Sequence, residues 1–240
     1  MDQIVQSTVQ TNYVVCLKWG DKYSSEYVNK LYNMVQRNLT LPYEFVCFTE
    51  NTNGINPHIT TKPLPDLPLT GWWFKPWMFS KETGLNGTVL FLDLDLVVFE
   101  NIDNLFSYKP GRFCIIRDFN RKFHSNWNRM NSSVFRFETN EHSKYYTEFS
   151  KHTRKYTSRY KGDQDFMYAV IREFDFWPDE WIQSYKWEMR GRQHLKLING
   201  KRNFVTPDEP KVSKQTNIAV FHGEPNMKEC VDNWPKINWQ

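Results

Sequence analysis

Several features that would place the chain in other protein classes are missing from its 240 residues. No apolar run reaches the roughly 18 residues that spanning a bilayer requires. The cysteines form no Cys-x-x-Cys pair and lie far apart, at Cys16, Cys47, Cys114 and Cys230. Because Cys16 and Cys47 sit inside apolar runs, we expect buried free thiols in a reducing compartment rather than a disulfide framework.

The chain also lacks a strong excess of either charge, and it shows no sign of division into several domains. The formal net charge of +4 and the pI near 8.7 are too weak to predict nucleic-acid binding without a clustered patch. The first ten residues are polar and contain no signal peptide, so we expect a cytoplasmic, soluble protein. No linker, repeat or low-complexity segment divides the chain, which predicts one domain over residues 11–240 behind a loose tail at 1–10.

The most informative stretch that is present is residues 88–100, TVLFLDLDLVVFE. Its continuous apolar character predicts a strand buried on both faces, as in a parallel sheet covered by helices. Side chains two apart on a strand share a face, so Asp93 and Asp95 are expected roughly 6–7 Å apart along it. Buried carboxylates need a partner, and one divalent cation would relieve both. Alternatively, Asp95 begins a surface turn and Asp93 caps a helix.

The first part of the chain predicts a strand–helix–strand unit. Residues 13–17 and 43–48 are strand candidates, and apolar residues at helical spacing predict an amphipathic helix over 25–38. A unit this short favours a parallel, right-handed crossover. Residues 51–71 are expected to form a loop with a short strand near Ile59, and residues 72–81 to be helical on either side of Pro76. Further strands are expected at 113–116, 133–137 and 218–221, and further helices at 141–153 and 163–174.

At four places an apolar segment ends abruptly in polar residues. The polar residues that follow are Lys18, Thr49, Asp93 and His222. In open α/β sheets the ligand lies at the carboxyl ends of the strands, so these ends are expected to converge on one site. An imidazole from His222 added to two carboxylates gives a mixed nitrogen–oxygen site, which suits Mn²⁺ better than Mg²⁺. A structural role for His222 is the alternative.

The order of these segments carries a resemblance. The succession VVCLKWGDKY, FVCFTE, WWFKPWMFS, VLFLDLDLVVF, NSSVFRF, GDQDFMYAV and AVFHGEPNMK, from about residue 11 to 230, resembles the type-A fold of nucleotide-sugar glycosyltransferases, closest to glycosyltransferase family 8 and its bacterial relatives. The resemblance implies a single Rossmann-like α/β domain with a mixed, mostly parallel central sheet flanked by helices. It also implies transfer of a hexose from a nucleotide-diphosphate sugar, such as a UDP-sugar, to a glycan or lipid-linked acceptor with retained configuration.

The resemblance also implies roles for single residues. The metal, Mn²⁺ or Mg²⁺, would be bound by Asp93, Asp95 and His222. Tyr23 matches a base-stacking tyrosine, with Lys18 and Trp19 beside it, and Lys75 matches a basic residue that contacts the donor. Asn131 and Ser132 match the segment that reads sugar hydroxyls, and Asp163, Gln164 and Asp165 match the stretch next to the anomeric carbon.

The end of the chain departs from the family pattern. Relatives often read His, two residues, Gly, two residues, Lys, where glycine and lysine grip the diphosphate. Here Lys228 falls at the lysine spacing, but Pro225 replaces the glycine and Gly223 comes early. Gly223 and Lys228 are therefore the candidates for that grip.

Other interpretations of the same residues remain open. Asn131 and Ser132 fit a turn before a strand, Asp163 fits a helix N-cap, and Lys75 fits a solvated helix charge. Asp93 followed by Leu-Asp-Leu-Val also fits the nucleophile motif of a haloacid-dehalogenase-like phosphatase. A non-catalytic sugar-binding module would use the aromatic residues, 17% of the chain, as platforms.

The one concentrated basic run is residues 151–161. Such a run fits peripheral contact with an anionic membrane or with a phosphorylated, lipid-linked acceptor. A solvated helix end followed by a loop is the alternative.

Overall fold

The structure is a computed structural model and describes residues 11–240, so the tail expected at residues 1–10 lies outside the described residues. The strands are β1 (Thr11–Lys18), β2 (Glu44–Thr49), β3 (Thr60–Lys62), β4 (Gly87–Leu92), β5 (Leu96–Val98), β6 (Cys114–Arg117), β7 (Met130–Glu138), β8 (Asp175–Phe176), β9 (Ile182–Ser184), β10 (Leu195–Ile198), β11 (Lys201–Phe204) and β12 (Ile218–Val220).

The helices are mostly short. The α-helices are α1 (Ser25–Asn38), α2 (Asp103–Ser107), α3 (Thr139–Lys151), α4 (Thr153–Arg159), α5 (Asp163–Val170) and α6 (Asn233–Asn238). Shorter 3₁₀ or π turns occupy Gly71–Phe79, Lys81–Thr83, Phe119–Lys122, Tyr185–Met189 and Arg192–His194. Measured over the described part of the chain, each helix falls short of the length and apolar character needed to cross a bilayer.

The main sheet has seven strands in the order β3-β2-β1-β4-β7-β6-β8. β1 pairs in parallel with β2 and β4, whereas β7 runs antiparallel to both β4 and β6. The parallel pairing predicted for the first two strands and the mixed, mostly parallel sheet are therefore confirmed. A second sheet, in the order β5-β12-β9, lies beyond the end of β4 along the chain.

Both faces of the main sheet are buried. Along β1, Val14 belongs to the core packed against α1, and Val15 belongs to the core packed against the aromatic helix Gly71–Phe79. This alternation is the two-residue period of a strand covered on both sides. The four cysteines are buried and unpaired, and the burial predicted for Cys16 and Cys47 from their apolar runs is confirmed.

Pro76 explains one difference from the sequence prediction. The segment predicted as helix on either side of this proline forms a 3₁₀ helix over Gly71–Phe79. Proline has no N–H to donate and its ring clashes with an α-helical turn, so the tighter form results. This places Lys75 on a buried part of the helix, one residue before the proline.

A buried ionic network fastens the end of the chain to the second sheet. The fully buried carboxylate of Asp232 accepts hydrogen bonds from the Tyr185 hydroxyl at 2.7 Å and from Arg190 Nε at 2.8 Å. The Tyr185 ring stacks on Phe221 with centroids 4.3 Å apart. This network supports the strand end that carries His222.

Candidate active site

The chain changes sheets at the acidic pair. β4 in the main sheet ends directly before Asp93, and β5 in the second sheet begins directly after Asp95. The Asp93 N–H donates to the Ser133 carbonyl on β7 at 2.9 Å, and the Phe221 N–H donates to the Asp95 carbonyl at 2.7 Å. These two hydrogen bonds tie the pair to both sheets.

The prediction of one continuous strand through residues 88–100 is therefore wrong. The backbone bends at Asp93 to Asp95, so the side-chain spacing expected for an extended strand does not apply there. An apolar run indicates that a segment is buried. Here the first part of the run forms β4 of the main sheet and the second part forms β5 of the second sheet, and both strands are buried. The alternative of a surface turn is also wrong, because Leu94 in the middle of the bend is buried.

A cavity of about 420 Å³ opens at this bend. It is lined by residues from the loop after β1, the Gly71–Phe79 helix, the bend, β7, the start of α5 and the end of β12. The predicted site residues that line it are Trp19, Tyr23, Lys75, Asp93, Asp95, Asn131, Ser132, Asp163, Gln164, Asp165 and His222. Segments that are distant in the sequence thus meet at one place.

Three predicted donor-binding residues do not line this cavity. Lys18 is buried and donates to a carbonyl of its own loop at 3.4 Å. Lys228 forms an exposed ion pair with Glu26 at 3.2 Å. Gly223 has a positive φ of 69°, a backbone conformation that glycine adopts without strain. This conformation is sufficient to account for glycine at position 223.

Lys75 is a buried cation in the wall of the cavity, with only 6% of its surface exposed. Its Nζ donates to Asp93 Oδ2 at 2.8 Å, and to the carbonyl and hydroxyl of Ser132 at 3.0 and 3.3 Å. It also lies 3.9 Å from Asp163 Oδ2. The interpretation as a solvated helix charge is therefore wrong. Because three acceptors already engage its three protons, Lys75 is a counter-ion within the protein.

The ionisation of this cluster follows from burial. Burial raises the pKa of Asp93 to about 7, against the opposing effect of Lys75. Burial also raises the pKa of Asp163, again opposed by Lys75. For Lys75, burial lowers the pKa, but the two carboxylates outweigh it and the net shift is upward. One ammonium thus serves the buried carboxyl of Asp163 and the part-exposed carboxyl of Asp93. Among residues 11–240, Asp163 Oδ2 has no hydrogen-bond partner.

His222 is held as a neutral imidazole. Its ring stacks on Phe119 with centroids 5.2 Å apart, and Trp187 packs edge-on at 4.6 Å. His222 Nε2 lies 2.7 Å from Ser184 Oγ, which accepts a hydrogen bond from the Trp187 N–H. Burial lowers the pKa of His222 to about 3, and the charge of Lys186 adds to this effect. A neutral imidazole is the form that binds metals.

Tyr23 connects the loop after β1 to the acidic pair. Its hydroxyl donates to Asp95 Oδ2 at 3.2 Å. Its ring lies 4.8 Å from that of Tyr27, and the Lys22 ammonium lies 4.8 Å from the Tyr23 centroid. Burial, followed by the charge of Asp95, raises the pKa of the Tyr23 phenol, so this group remains a donor to Asp95.

The predicted metal ligands are of a kind that suits a divalent cation, and all three line the cavity. Two carboxylates and a neutral imidazole line one cavity, where buried negative charge is only partly compensated. Their side chains are engaged elsewhere, because Asp93 pairs with Lys75 and His222 with Ser184. Throughout residues 11–240, no three His, Cys, Asp or Glu side chains come together closely enough to hold a metal ion. The metal site stays a prediction.

The start of α5 also lines the cavity, through Gly162, Asp163, Gln164 and Asp165. The helix begins at Asp163, and the N-cap position is taken by Gly162, so the alternative of Asp163 as N-cap is wrong. A Cβ at Gly162 would lie 3.3 Å from Trp72 Nε1. Close contact with this half-exposed tryptophan therefore favours glycine before the helix.

Sequence reasoning missed several residues of the cavity. Lys22, Trp72 and Lys161 all line it. Lys161 had a usable signal, because it joins the basic run directly to the Gly-Asp-Gln-Asp segment. Nothing in the sequence indicated the contact of Ser184 with His222, because these residues are 38 positions apart and β9, which carries Ser184, has only three residues.

Comparison with known proteins gives matches at the level of structure. No family model matches the chain, and no curated protein matches it in sequence. A structure of the glycosyltransferase GlyE from Streptococcus pneumoniae TIGR4 matches with a TM-score of 0.63 and 13% identity, covering 95% of this chain and 59% of that one. A second GlyE structure gives a TM-score of 0.55 at 12% identity, covering 71% and 46% of the two chains.

Two further solved structures extend this comparison. The galactosyltransferase LgtC, in complex with donor and acceptor sugar analogs, matches with a TM-score of 0.57 and 13% identity over 90% of this chain and 88% of that one. The bifunctional glycosyltransferase WbbM matches with a TM-score of 0.58 and 14% identity, over 97% of this chain and 50% of that one. The chain thus spans about half the length of GlyE and WbbM. Identities this low establish the fold alone, which is the type-A glycosyltransferase fold.

Proposed function

We propose that the protein is a metal-dependent glycosyltransferase related to family 8. It would move a hexose from a UDP-sugar to a glycan or lipid-linked acceptor, with retention at the anomeric carbon. The observation that carries this proposal is the meeting of the acidic pair, Tyr23, Asn131 and the Asp163 segment at a single cavity. The cavity lies at the carboxyl ends of β1 and β4, and open α/β folds bind their ligands at such strand ends.

The nucleotide end of the donor would lie against the loop after β1. The Tyr23 ring would stack on the uracil, with Trp19 and Lys22 beside it in the cavity lining. A divalent ion bound by Asp93, Asp95 and His222 would offset the charge of the diphosphate leaving group. Tyr23 would orient the Asp95 carboxylate by the hydrogen bond that it donates.

The sugar end would lie between β7 and the start of α5. Asn131 and Ser132 would bind sugar hydroxyls, and Asp163 would hold another from the opposite side. Gln164 would present its carbonyl oxygen to the anomeric carbon, where positive charge develops as in glycoside hydrolysis. Retention of configuration is proposed from the resemblance to family 8.

The acceptor would approach from the side of α4. Residues 151–161 carry five lysine or arginine side chains and no acidic residue, and Lys161 lines the cavity. A phosphate group on a lipid-linked acceptor would meet this positive charge.

The donor is tested by measuring the unfolding temperature with a panel of nucleotide sugars, each with and without Mn²⁺. A matching UDP-sugar at about 100 times its Kd should stabilise the protein by about 2.7 kcal/mol, roughly 5 to 10 °C for a domain of this size. The same sugar should be hydrolysed slowly when Mn²⁺ is present. Stabilisation without hydrolysis would instead indicate a binding module. Release of phosphate from an aryl phosphate would indicate the phosphatase.

Two substitutions at Tyr23 separate its ring from its hydroxyl. Tyr23→Phe should lower Mn²⁺ affinity about tenfold, because it removes the hydrogen bond that orients Asp95, while UDP binding by the ring is kept. Tyr23→Ala should also weaken UDP binding by about 1–3 kcal/mol, through the loss of stacking. Calorimetric titration of Mn²⁺ and of UDP measures both quantities. Equal UDP affinity in the two variants would contradict the stacking role.

A further inference from the structure

The hairpin formed by β10 and β11 projects from the second half of the chain. The two strands pair only with each other among the described residues, and they turn through Asn199 and Gly200, both with positive φ. At its base, Phe204 is fully buried and packs edge-on against Tyr185. The hairpin therefore has a buried base and an exposed tip.

The tip of the hairpin is apolar and exposed. Leu197, 72% exposed, is the most exposed large apolar side chain of residues 11–240, and Ile198 beside it is 39% exposed. The register places Leu197 opposite Arg202 and Ile198 opposite Lys201. Since opposite residues of an antiparallel pair share a face, each face of the tip combines one apolar and one cationic side chain.

The surroundings of the tip are strongly basic. Residues 192–214 contain six lysine or arginine and two acidic residues, a net charge of +4 that equals the formal charge of the whole chain. Lys201 pairs with Glu229, but Lys196 and Arg202 have no ion pair with any described residue. Their charge is therefore available to an external partner.

The hairpin is fastened to the segment that follows His222. The Arg202 N–H donates to Glu224 Oε2 at 2.9 Å, and Asn203 Nδ2 donates to the Glu229 carbonyl at 2.9 Å. Glu224 is two residues after His222, which lines the cavity. A partner held by the hairpin would thus be connected through one short segment to the cavity wall.

We propose that the hairpin tip is a contact site for an anionic lipid bilayer. Leu197 and Ile198 enter the interfacial layer, and Lys196 and Arg202 lie against lipid phosphates. A second copy of the chain fits less well, because a two-fold contact would place this positive patch against itself. Nucleic acid would neutralise the cations but offers no apolar phase for Leu197.

This site differs from the basic run at residues 151–161. That run has no large exposed apolar side chain, and its Tyr156 is buried. It therefore has the charge but not the apolar group that a bilayer contact combines. The hairpin contact does not depend on sugar transfer, so the two proposals stand or fall separately.

The apolar part is tested by sedimentation of the full chain with vesicles of phosphatidylglycerol and phosphatidylcholine in equal parts. The double variant Leu197→Ser, Ile198→Ser should reduce the partition coefficient about tenfold or more while leaving donor hydrolysis unchanged. The matched control is Ile237→Ser, which removes a similarly exposed side chain, 66% exposed, on α6. Failure of the intact protein to bind these vesicles, or unchanged binding by the double variant, would overturn the proposal.

The charged part is tested by two double variants with the same net charge. Lys196→Glu with Arg202→Glu should reduce binding to these vesicles about 25-fold or more, because each cation near an anionic surface contributes about fivefold. Arg154→Glu with Lys155→Glu on α4 should have a much smaller effect. Equal losses in the two variants would show that overall charge governs binding, and the hairpin would not be the contact.

Insertion of the tip is tested with a fluorescent label. All four native cysteines are buried, so Leu197→Cys supplies an exposed thiol for an environment-sensitive dye. Adding phosphatidylglycerol vesicles should shift its emission to shorter wavelength, and phosphatidylcholine vesicles should not. The same dye on Ile237→Cys should not respond. An unshifted emission at position 197 would place the tip outside the bilayer.

Discussion

Replacing Lys75 by methionine should cost about 3–5 kcal/mol of stability, as expected when one member of a buried ionic cluster is removed. The variant leaves the buried carboxyl of Asp163 and the part-exposed carboxyl of Asp93 without the ammonium that pairs with both. Urea unfolding measures the loss. The matched control is Lys62→Met. Lys62 donates to one backbone carbonyl and has no acidic partner within residues 11–240, so a loss of about 1 kcal/mol is expected.

The loss should also depend on pH. Lys75 lowers the pKa of Asp93, which burial raises to about 7, so the variant should raise that pKa further. A carboxyl with a raised folded pKa destabilises the protein as the pH rises from its ordinary value through the folded one. The deficit of Lys75→Met relative to the intact protein should therefore be larger near pH 8 than near pH 5.

Neutralising one carboxyl should restore part of this stability. Asp93→Asn added to Lys75→Met removes the buried charge that the first change leaves unpaired, so the double variant should be more stable than Lys75→Met alone. A single variant no less stable than Lys62→Met would contradict the counter-ion role. So would a double variant less stable than the single one.

Local patterns predicted the elements that have a clear period. The helix over 25–38 matches α1, because its apolar residues recur at helical spacing and face one core. β1 and β2 were recognisable because both lie inside the main sheet and are apolar on both faces. The prediction of one strand over 88–100 failed because the residues stay buried across the bend, while the chain passes from the main sheet to the second sheet. Hydrophobicity contains no sign of that change.

Parts of the site depend on contacts that no local pattern records. The position of Lys75 between Asp93 and Asp163 requires the 3₁₀ helix, β4 and α5 to pack together. Its basic character was visible in the sequence, but its burial was not. The hairpin of β10 and β11 was missed for a related reason. Its two strands have only four residues each and are largely exposed, so no buried face marks them in the sequence, although Asn199-Gly200 is a turn signal.

The start of α5 is where the largest effect on turnover is expected. Asp163→Asn should reduce turnover by about 10²–10³-fold and leave UDP affinity nearly unchanged, because fixed charge near the anomeric carbon stabilises the transition state. Asp163 is buried and its Oδ2 has no hydrogen-bond partner, so a donor sugar hydroxyl would satisfy it. Steady-state kinetics with the donor identified by the panel measure turnover, and titration measures UDP affinity.

A buried carboxyl also affects folding, so Gln164 supplies the decisive comparison. Its side chain lines the cavity and is only partly buried, so Gln164→Ala should reduce turnover while the urea midpoint stays unchanged. If Asp163→Asn lost stability and both variants kept the turnover of the intact protein, Asp163 would be a structural residue of α5. A fall in turnover for Gln164→Ala at constant stability cannot arise from misfolding, and it would show that the Gln164 side chain contributes to the transition state.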